Sequence, residues 1–262
     1  MNGPAQQYLD KSRGLIDAVE TQLDLIHRAA DWFAQTIFAG RMVHVFASGH
    51  SRIMVEEMWP RYGSFPGFNP IVELSLTFHN LVVGANGQRQ AMFLENVTGL
   101  AERIVRNFEI SDIDTALIIS SSGCNVVPIE MAEQFQLRRI KVVSIISARH
   151  ADASKSNHAS GKKLSDFSDL VLDTGAPVGD AMVEIDGLDT PVAPGSTVGG
   201  CLLINTIKAE LADRLTRRGQ PPKVLSAGAV VGAERAKSLF ESAYDEHAQR
   251  LAKLYATIGG AK

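Results

Sequence analysis

Cysteine is nearly missing from this chain, with two in 262 residues, Cys124 and Cys201, in unrelated contexts. That excludes a disulfide framework and zinc-type cysteine spacing, and it fits a cytoplasmic compartment. An excess of positive charge is missing as well. Lys and Arg number 26 against 29 Asp and Glu, a net charge of −3, and no basic run offsets this locally, so nothing attracts a nucleic-acid backbone. Long apolar runs are absent too. The most tempting one, Thr190 to Ile207, is broken by Pro191, Pro194, Gly195, Gly199, Gly200 and Asn205, which rules out a membrane span. Met1 to Gln7 carry no basic region followed by an apolar stretch, so a secretory signal is not expected. The expectation is a soluble globular protein with no nucleic-acid or membrane partner.

Several chemical signatures are also lacking. The turn after the first apolar run has one glycine where a dinucleotide fingerprint needs three, although Glu73 follows the second run as that fold would require. No P-loop occurs, and Ser51 is followed by Arg52 and Ile53 rather than framed by the glycines of a nucleophile elbow. His44, His50, His79, His150, His158 and His247 fall in different elements without a His-x-x-x-His pair, so no metal site and no cofactor is expected. His44 alternates within an apolar strand and reads as a satisfied core residue.

What the chain does have is a pair of serine-rich turns, each at the end of a short apolar run. Met42 to Ala47 leads into Ser48-Gly49-His50-Ser51, and Ala116 to Ile119 into Ser120-Ser121-Ser122-Gly123-Cys124-Asn125. Such junctions are buried parallel strands feeding helix N-termini, where backbone N–H groups and hydroxyls face an anion. Strands and helices alternate over residues 42 to 215, predicting an α/β fold with a doubly wound parallel sheet flanked by helices. Strands are expected at 71–74, 115–119 and 140–146, with weaker ones at 170–172 and 182–185. Residues 90–107 are expected to form one helix, and 148–166 a mobile loop. Ile16, Val19, Leu23, Ile26, Ala30, Phe33 and Ile37 step alternately by 3 and 4, predicting one long helix over about 9–39, and Phe240 to Tyr255 mark a long C-terminal one. Ser196 is placed to cap a helix over 198–214. The organisation expected is an N-terminal helix in 1–40, a central domain in 41–220 and a helical extension in 221–262.

Phe46 to Arg52 and Ile118 to Pro128 resemble the two phosphate-binding segments of the sugar isomerase (SIS) domain family. Pro66 to Leu74 resembles its second strand and Pro194 to Thr197 its late helix entry. The likeness spans about residues 30–215 and implies a flavodoxin-like sheet. It implies that Ser51, Ser120 and Ser122 bind a sugar phosphate, with backbone N–H groups from Gly123 to Asn125. Ser48, Gly49, His50, Ser121 and Ser196 complete the candidate binding set. Where the family commonly carries Thr, this chain has Asn125.

The resemblance also implies aldose–ketose isomerisation without a redox cofactor, which needs a base to move a proton between C1 and C2 and an acid for the carbonyl oxygen. Glu56 and Glu57, in Glu-Glu-x-x-x-Arg form ending at Arg61, are similar to the glutamates of the phosphoheptose branch. Neighbouring residues cannot share one helix face, so at most one of them reaches a site. Asn205 falls where that branch tends to have a histidine, and His79 is the candidate substitute. Glu184, Lys208 and Glu210 are lesser candidates. A phosphosugar-binding regulatory protein and a sugar-phosphate etherase or lyase are the alternatives. Family members commonly form homodimers or homotetramers, and the N-terminal seam fits such an interface.

Overall fold

The computed structural model describes residues 3–77 and 87–255. Helices α1 (Pro4–Glu20) and α2 (Leu23–Phe38) lead into β1 (Val43–Ala47), then α3 (Arg52–Met58), β2 (Phe68–Ile71) and the short α4 (Leu74–Thr77). Next come α5 (Gln88–Leu94), α6 (Leu100–Val105), β3 (Thr115–Ile119), α7 (Val126–Leu137), β4 (Lys141–Ile146), α8 (Ala148–Ala153) and β5 (Leu170–Asp173). A hairpin of β6 (Ala181–Val183) and β7 (Val192–Pro194) precedes α9 (Ser196–Arg217), α10 (Gly228–Val231) and α11 (Ala233–Leu254).

Five strands form one parallel sheet in the order β2-β1-β3-β4-β5. Every residue of β1 and β3 is buried, as expected for a sheet covered on both faces. The pleat sends alternate side chains to opposite layers. Val43, Val45, Ala47, Leu117 and Ile119 pack with Phe33, Met54, Leu203 and Ile207 of α2, α3 and α9. Phe46, Ala116 and Ile118 pack with Ile104, Val127, Met131 and Phe135 of α6 and α7. The order reverses between β1 and β3, so the loops leaving these neighbours diverge and open a crevice at their C-terminal ends. Both serine turns lie there.

His44 is the polar residue in β1, and it is satisfied. Asn69 Nδ2 donates to its Nδ1 at 3.0 Å, so Nε2 carries the proton and donates to Asp114 at 3.2 Å. Asp114 also accepts from Arg41 Nε and Nη2 at 2.8 and 2.7 Å and from the Ser111 amide at 2.9 Å. Burial alone would raise its pKa. The Arg41 and His44 bonds outweigh that and hold it below the usual carboxylate range.

Four local expectations need correction. The helix over 9–39 is two helices, broken at Thr21 and Gln22. Gln22 leaves helical geometry, with φ −108° and ψ 13°, and grips the end of β5 by donating to Asp173 O at 2.8 Å and accepting from Asp173 N at 2.7 Å. The seam shifts with the break, leaving Ile16 and Leu23 exposed and burying Leu15. The helix over 90–107 is also two, α5 and α6, because the chain turns at Gly99, with φ +82°, whose amide donates to the buried Glu130. The second strand ends at Ile71, in register with Phe46, and Leu74 begins α4 instead. Residues 148–166 are built rather than loose: α8 opens the segment, Lys163 Nζ donates to Ala151 O, and Leu164 N donates to Gly123 O at 2.8 Å. Of the weaker strands, β5 joins the main sheet while β6 pairs with β7 outside it.

Helix α9 crosses closely over the sheet. A Cβ on Gly199 would lie 2.0 Å from the Thr174 carbonyl oxygen, so only glycine permits this approach.

Candidate functional site

The first serine turn starts where β1 stops. Gly49, at φ +59°, starts a 3-10 turn through Ser51 that runs into α3. A side chain at Gly49 would strain that backbone. Ser48 is buried, and its Oγ donates to Glu95 Oε2 at 2.8 Å. The second turn leaves β3 with Ser120 N donating to Ile145 O. Ser120 Oγ accepts from Gly123 N at 3.2 Å and Ser122 Oγ from Cys124 N at 3.3 Å. These bonds take up two of the turn's backbone donors and leave each serine its own O–H proton for a ligand. Behind the turn, Ser121 contacts Ser147 at 3.3 Å, and Ser147 contacts Thr174 at 2.8 Å.

Asn125 stands at the N-cap of α7, yet its side chain makes no capping bond. Its Nδ2 donates instead to Glu95 Oε1 at 2.7 Å, and its Oδ1 accepts from Asn157 Nδ2 at 3.2 Å. The Val127 amide donates to Glu95 O at 2.9 Å. Glu95 is thereby tied to both serine turns. Its carboxyl is held above the usual range, because burial outweighs the opposing Ser48 hydrogen bond.

These elements enclose a cavity of about 420 Å³ at the crevice. Ser48, Gly49, His50, Ser51, Ser120, Ser121, Ser122 and Ser196 of the expected set line it together, joined by Gln88, Met92, Glu95, His150, Asp180 and Pro194. Gly123 and Asn125 stand behind the wall through the bonds just described. Asp180 accepts from Gly195 N and Ser196 N at 3.1 and 2.6 Å, and from Ser196 Oγ at 2.8 Å. Ser196 is thus the first residue of α9, with Gly195 at the cap position.

Glu56 and Glu57 lie elsewhere, in a groove with Arg61, Tyr62, Phe240 and Tyr244. Glu56 is paired with Arg52 at 3.6 Å. Both oxygens of Glu57 are engaged, Oε1 by Asn205 Nδ2 at 2.7 Å and Oε2 by Arg61. Burial works to raise its pKa, but the Asn205 and Arg61 bonds prevail and lower it. Lys208 is buried and donates to Glu57 O and Ser64 Oγ at 2.7 and 2.9 Å. Glu210 pairs with Arg214, and Glu184 lines a separate cavity with Lys11 and Arg149. His79 lies outside the described residues.

Sequence reasoning missed Glu95, His150 and Asp180. Glu95 was hidden inside an assumed continuous helix. Asn96-Val97-Thr98-Gly99, a polar, β-branched and glycine run, was the available sign that the helix stops there. Among the described residues no group of three His, Cys, Asp or Glu could hold a metal ion, and no helix is long and apolar enough to cross a membrane.

The sequence profile of the SIS domain matches residues 7–147. A UPF0309 protein of Listeria innocua is 30% identical over 240 residues, covering 91% of this chain and 95% of the relative. A UPF0309 protein of Halalkalibacterium halodurans is 32% identical over 223 residues, covering 85% and 90%. Among solved structures, a phosphoheptose isomerase from Francisella tularensis is similar in fold, with a TM-score of 0.50 and 13% identity over 79% of this chain and 95% of that one.

Proposed function

The chain belongs to the SIS domain family, and on that premise we propose that it binds a sugar phosphate between its two serine turns and interconverts the aldose and ketose forms. The phosphate is met by the hydroxyl protons of Ser51, in the turn that enters α3, and of Ser120 and Ser122, in the turn that enters α7, whose helix field favours an anion. No cofactor is needed, since the reaction moves protons only.

The observation that carries the reading is the placement of Glu95. A carboxylate with raised proton affinity lines the same cavity as both serine turns, fixed by Ser48 and Asn125. A base in that state takes the C2 proton of an open-chain aldose and returns it to C1, passing through an enediol. We assign the base to Glu95 rather than to Glu56 or Glu57, because both of those line a different groove and the Asn205 and Arg61 bonds lower the Glu57 pKa where burial raises that of Glu95. The SIS unit is taken as residues 41–220, framed by helical segments in 1–40 and 221–262. Leu9 and Ile16 on α1 are 52% and 51% exposed, which supports burial against a second copy in a homo-oligomer.

The test is a panel of sugar phosphates incubated with the protein in deuterated water. Solvent deuterium at C2 of one substrate is the expected result. Ligand-induced thermal stabilisation without any exchange would point instead to a binding protein, and elimination of a substituent to a lyase.

A further inference from the structure

We infer that His150 is the electrophile of this pocket, its ring held by the fold to donate its Nε2–H to the carbonyl oxygen of the bound open-chain sugar. The inference rests on the isomerase reading and adds to it the group that polarises the carbonyl.

The argument begins at α8. Ser147 follows β4 at the cap position of α8, the Ala148 amide donates to Asp173 Oδ1 at 2.9 Å, and Ala151 N donates to Ser147 O at 2.8 Å. Ser154 Oγ donates to His150 O at 2.7 Å. His150 therefore sits on a helical turn pinned at both ends. Its ring meets the turn before β6, where Gly179 N donates to Nδ1 at 3.0 Å. A backbone amide can only donate, so Nδ1 presents its lone pair, and the neutral ring carries its proton on Nε2.

That amide is itself held in place. Gly179 and Asp180 both have positive φ, +76° and +70°, and the Asp180 carboxylate is clamped by Gly195 N, Ser196 N and Ser196 Oγ. A chain of fixed groups thus runs from the start of α9 through Asp180 and Gly179 to the ring and holds its orientation. The half-buried ring lines the cavity with Glu95 and both serine turns. Its Nε2 has no hydrogen-bond partner among the described residues.

This arrangement completes the proton inventory. As Glu95 removes the C2 proton, the electron pair forms the C1–C2 double bond and the carbonyl pair moves onto O1. Nε2 gives its proton to O1 and recovers one from the O2 hydroxyl. Collapse of the enediol then forms the C2 carbonyl while Glu95 returns its proton to C1. Both side chains end as they began. An imidazole whose Nε2–H faces the developing oxyanion can serve as electrophile in this way.

Two measurements test this. Nitrogen-15 spectra of the ring at about pH 8.5 should show Nε2–H with an unprotonated Nδ1. In the deuterium assay, His150→Ala should lose about 10²-fold or more in kcat with little change in KM. His150→Gln, whose amide can stand in for Nε2–H, should recover part of that loss, whereas His150→Asn should not. An Nδ1–H tautomer, or a His150→Ala enzyme within about threefold of wild type, overturns the His150 assignment alone. Absence of exchange by the wild-type protein overturns the isomerase reading whatever the ring spectrum shows.

Discussion

Asn125 Nδ2 donates to Glu95 Oε1 across 2.7 Å, joining the N-cap of α7 to the carboxylate that follows α5. This gives the Asn125 amide a partner that a threonine hydroxyl could not serve in the same way. The side chain serves the carboxylate rather than the helix end. With Ser48 on the other oxygen, it fixes which way Glu95 faces.

The acidic limb of the rate profile should report that arrangement. Burial raises the Glu95 pKa, so activity should rise with pH at values above about 4.3, the ordinary glutamate figure. Ser48→Ala or Asn125→Ala removes a donor to the ionised form and should move the limb higher. Glu95→Gln should lower turnover by about 10²- to 10⁴-fold while leaving ligand affinity nearly intact. The same group sets a stability trend. A carboxyl that binds its proton more tightly when folded loses stability as pH rises from the unfolded value through the folded one, so melting curves of Glu95→Gln should lack that decline.

Ser120→Ala removes a hydroxyl that accepts from the Gly123 amide and, on the proposed reading, offers its own proton to the phosphate. Hydrogen bonds to charged groups contribute about 1.5–3 kcal/mol, so sugar-phosphate affinity should fall by about 10- to 100-fold. Isothermal titration measures it, and unchanged affinity would remove Ser120 from the anion site.

Glu57→Gln separates the two glutamate assignments. Its carboxylate is bound by Asn205 and Arg61 in a groove apart from the cavity, so the variant should keep turnover within about threefold and melt at a lower temperature. A collapse of turnover with an unchanged melting temperature would return the base to Glu57.

Asp114 supports the sheet from its opposite end. Its buried carboxylate takes bonds from Arg41, His44 and Ser111, and breaking a buried ion pair by removing one partner costs about 3–5 kcal/mol. Asp114→Asn should therefore unfold at markedly lower denaturant concentration. Because the pKa is lowered in the folded chain, the stability it contributes is present above the ordinary value of about 3.9 and is lost as pH falls below it.

The sheet was legible because β1 and β3 are buried on both faces and read as almost wholly apolar runs, His44 being the polar exception in β1. The serine turns were legible because glycine and serine abruptly end those runs. Residues whose position depends on distant partners were not. No local pattern announces that Gln22 will leave its helix to grip Asp173, or that Asp180 will clamp the start of α9. Glu95 belongs to the same class, since its neighbours in space, Ser48 and Asn125, lie far from it in the chain.

The register that pairs Ala47 with Ile119 acts as a gauge. Ser48 and Ser120 each follow one of these paired residues, so the spacing at which the two turns begin is set by the separation of adjacent strands, about 4.8 Å. Backbone hydrogen bonding, not side-chain choice, fixes that dimension, and no surface substitution can widen it. On the proposed reading the chain is committed to one size of anionic headgroup, and diversification toward other substrates is left to Gln88, Met92 and Pro194 around the rest of the cavity.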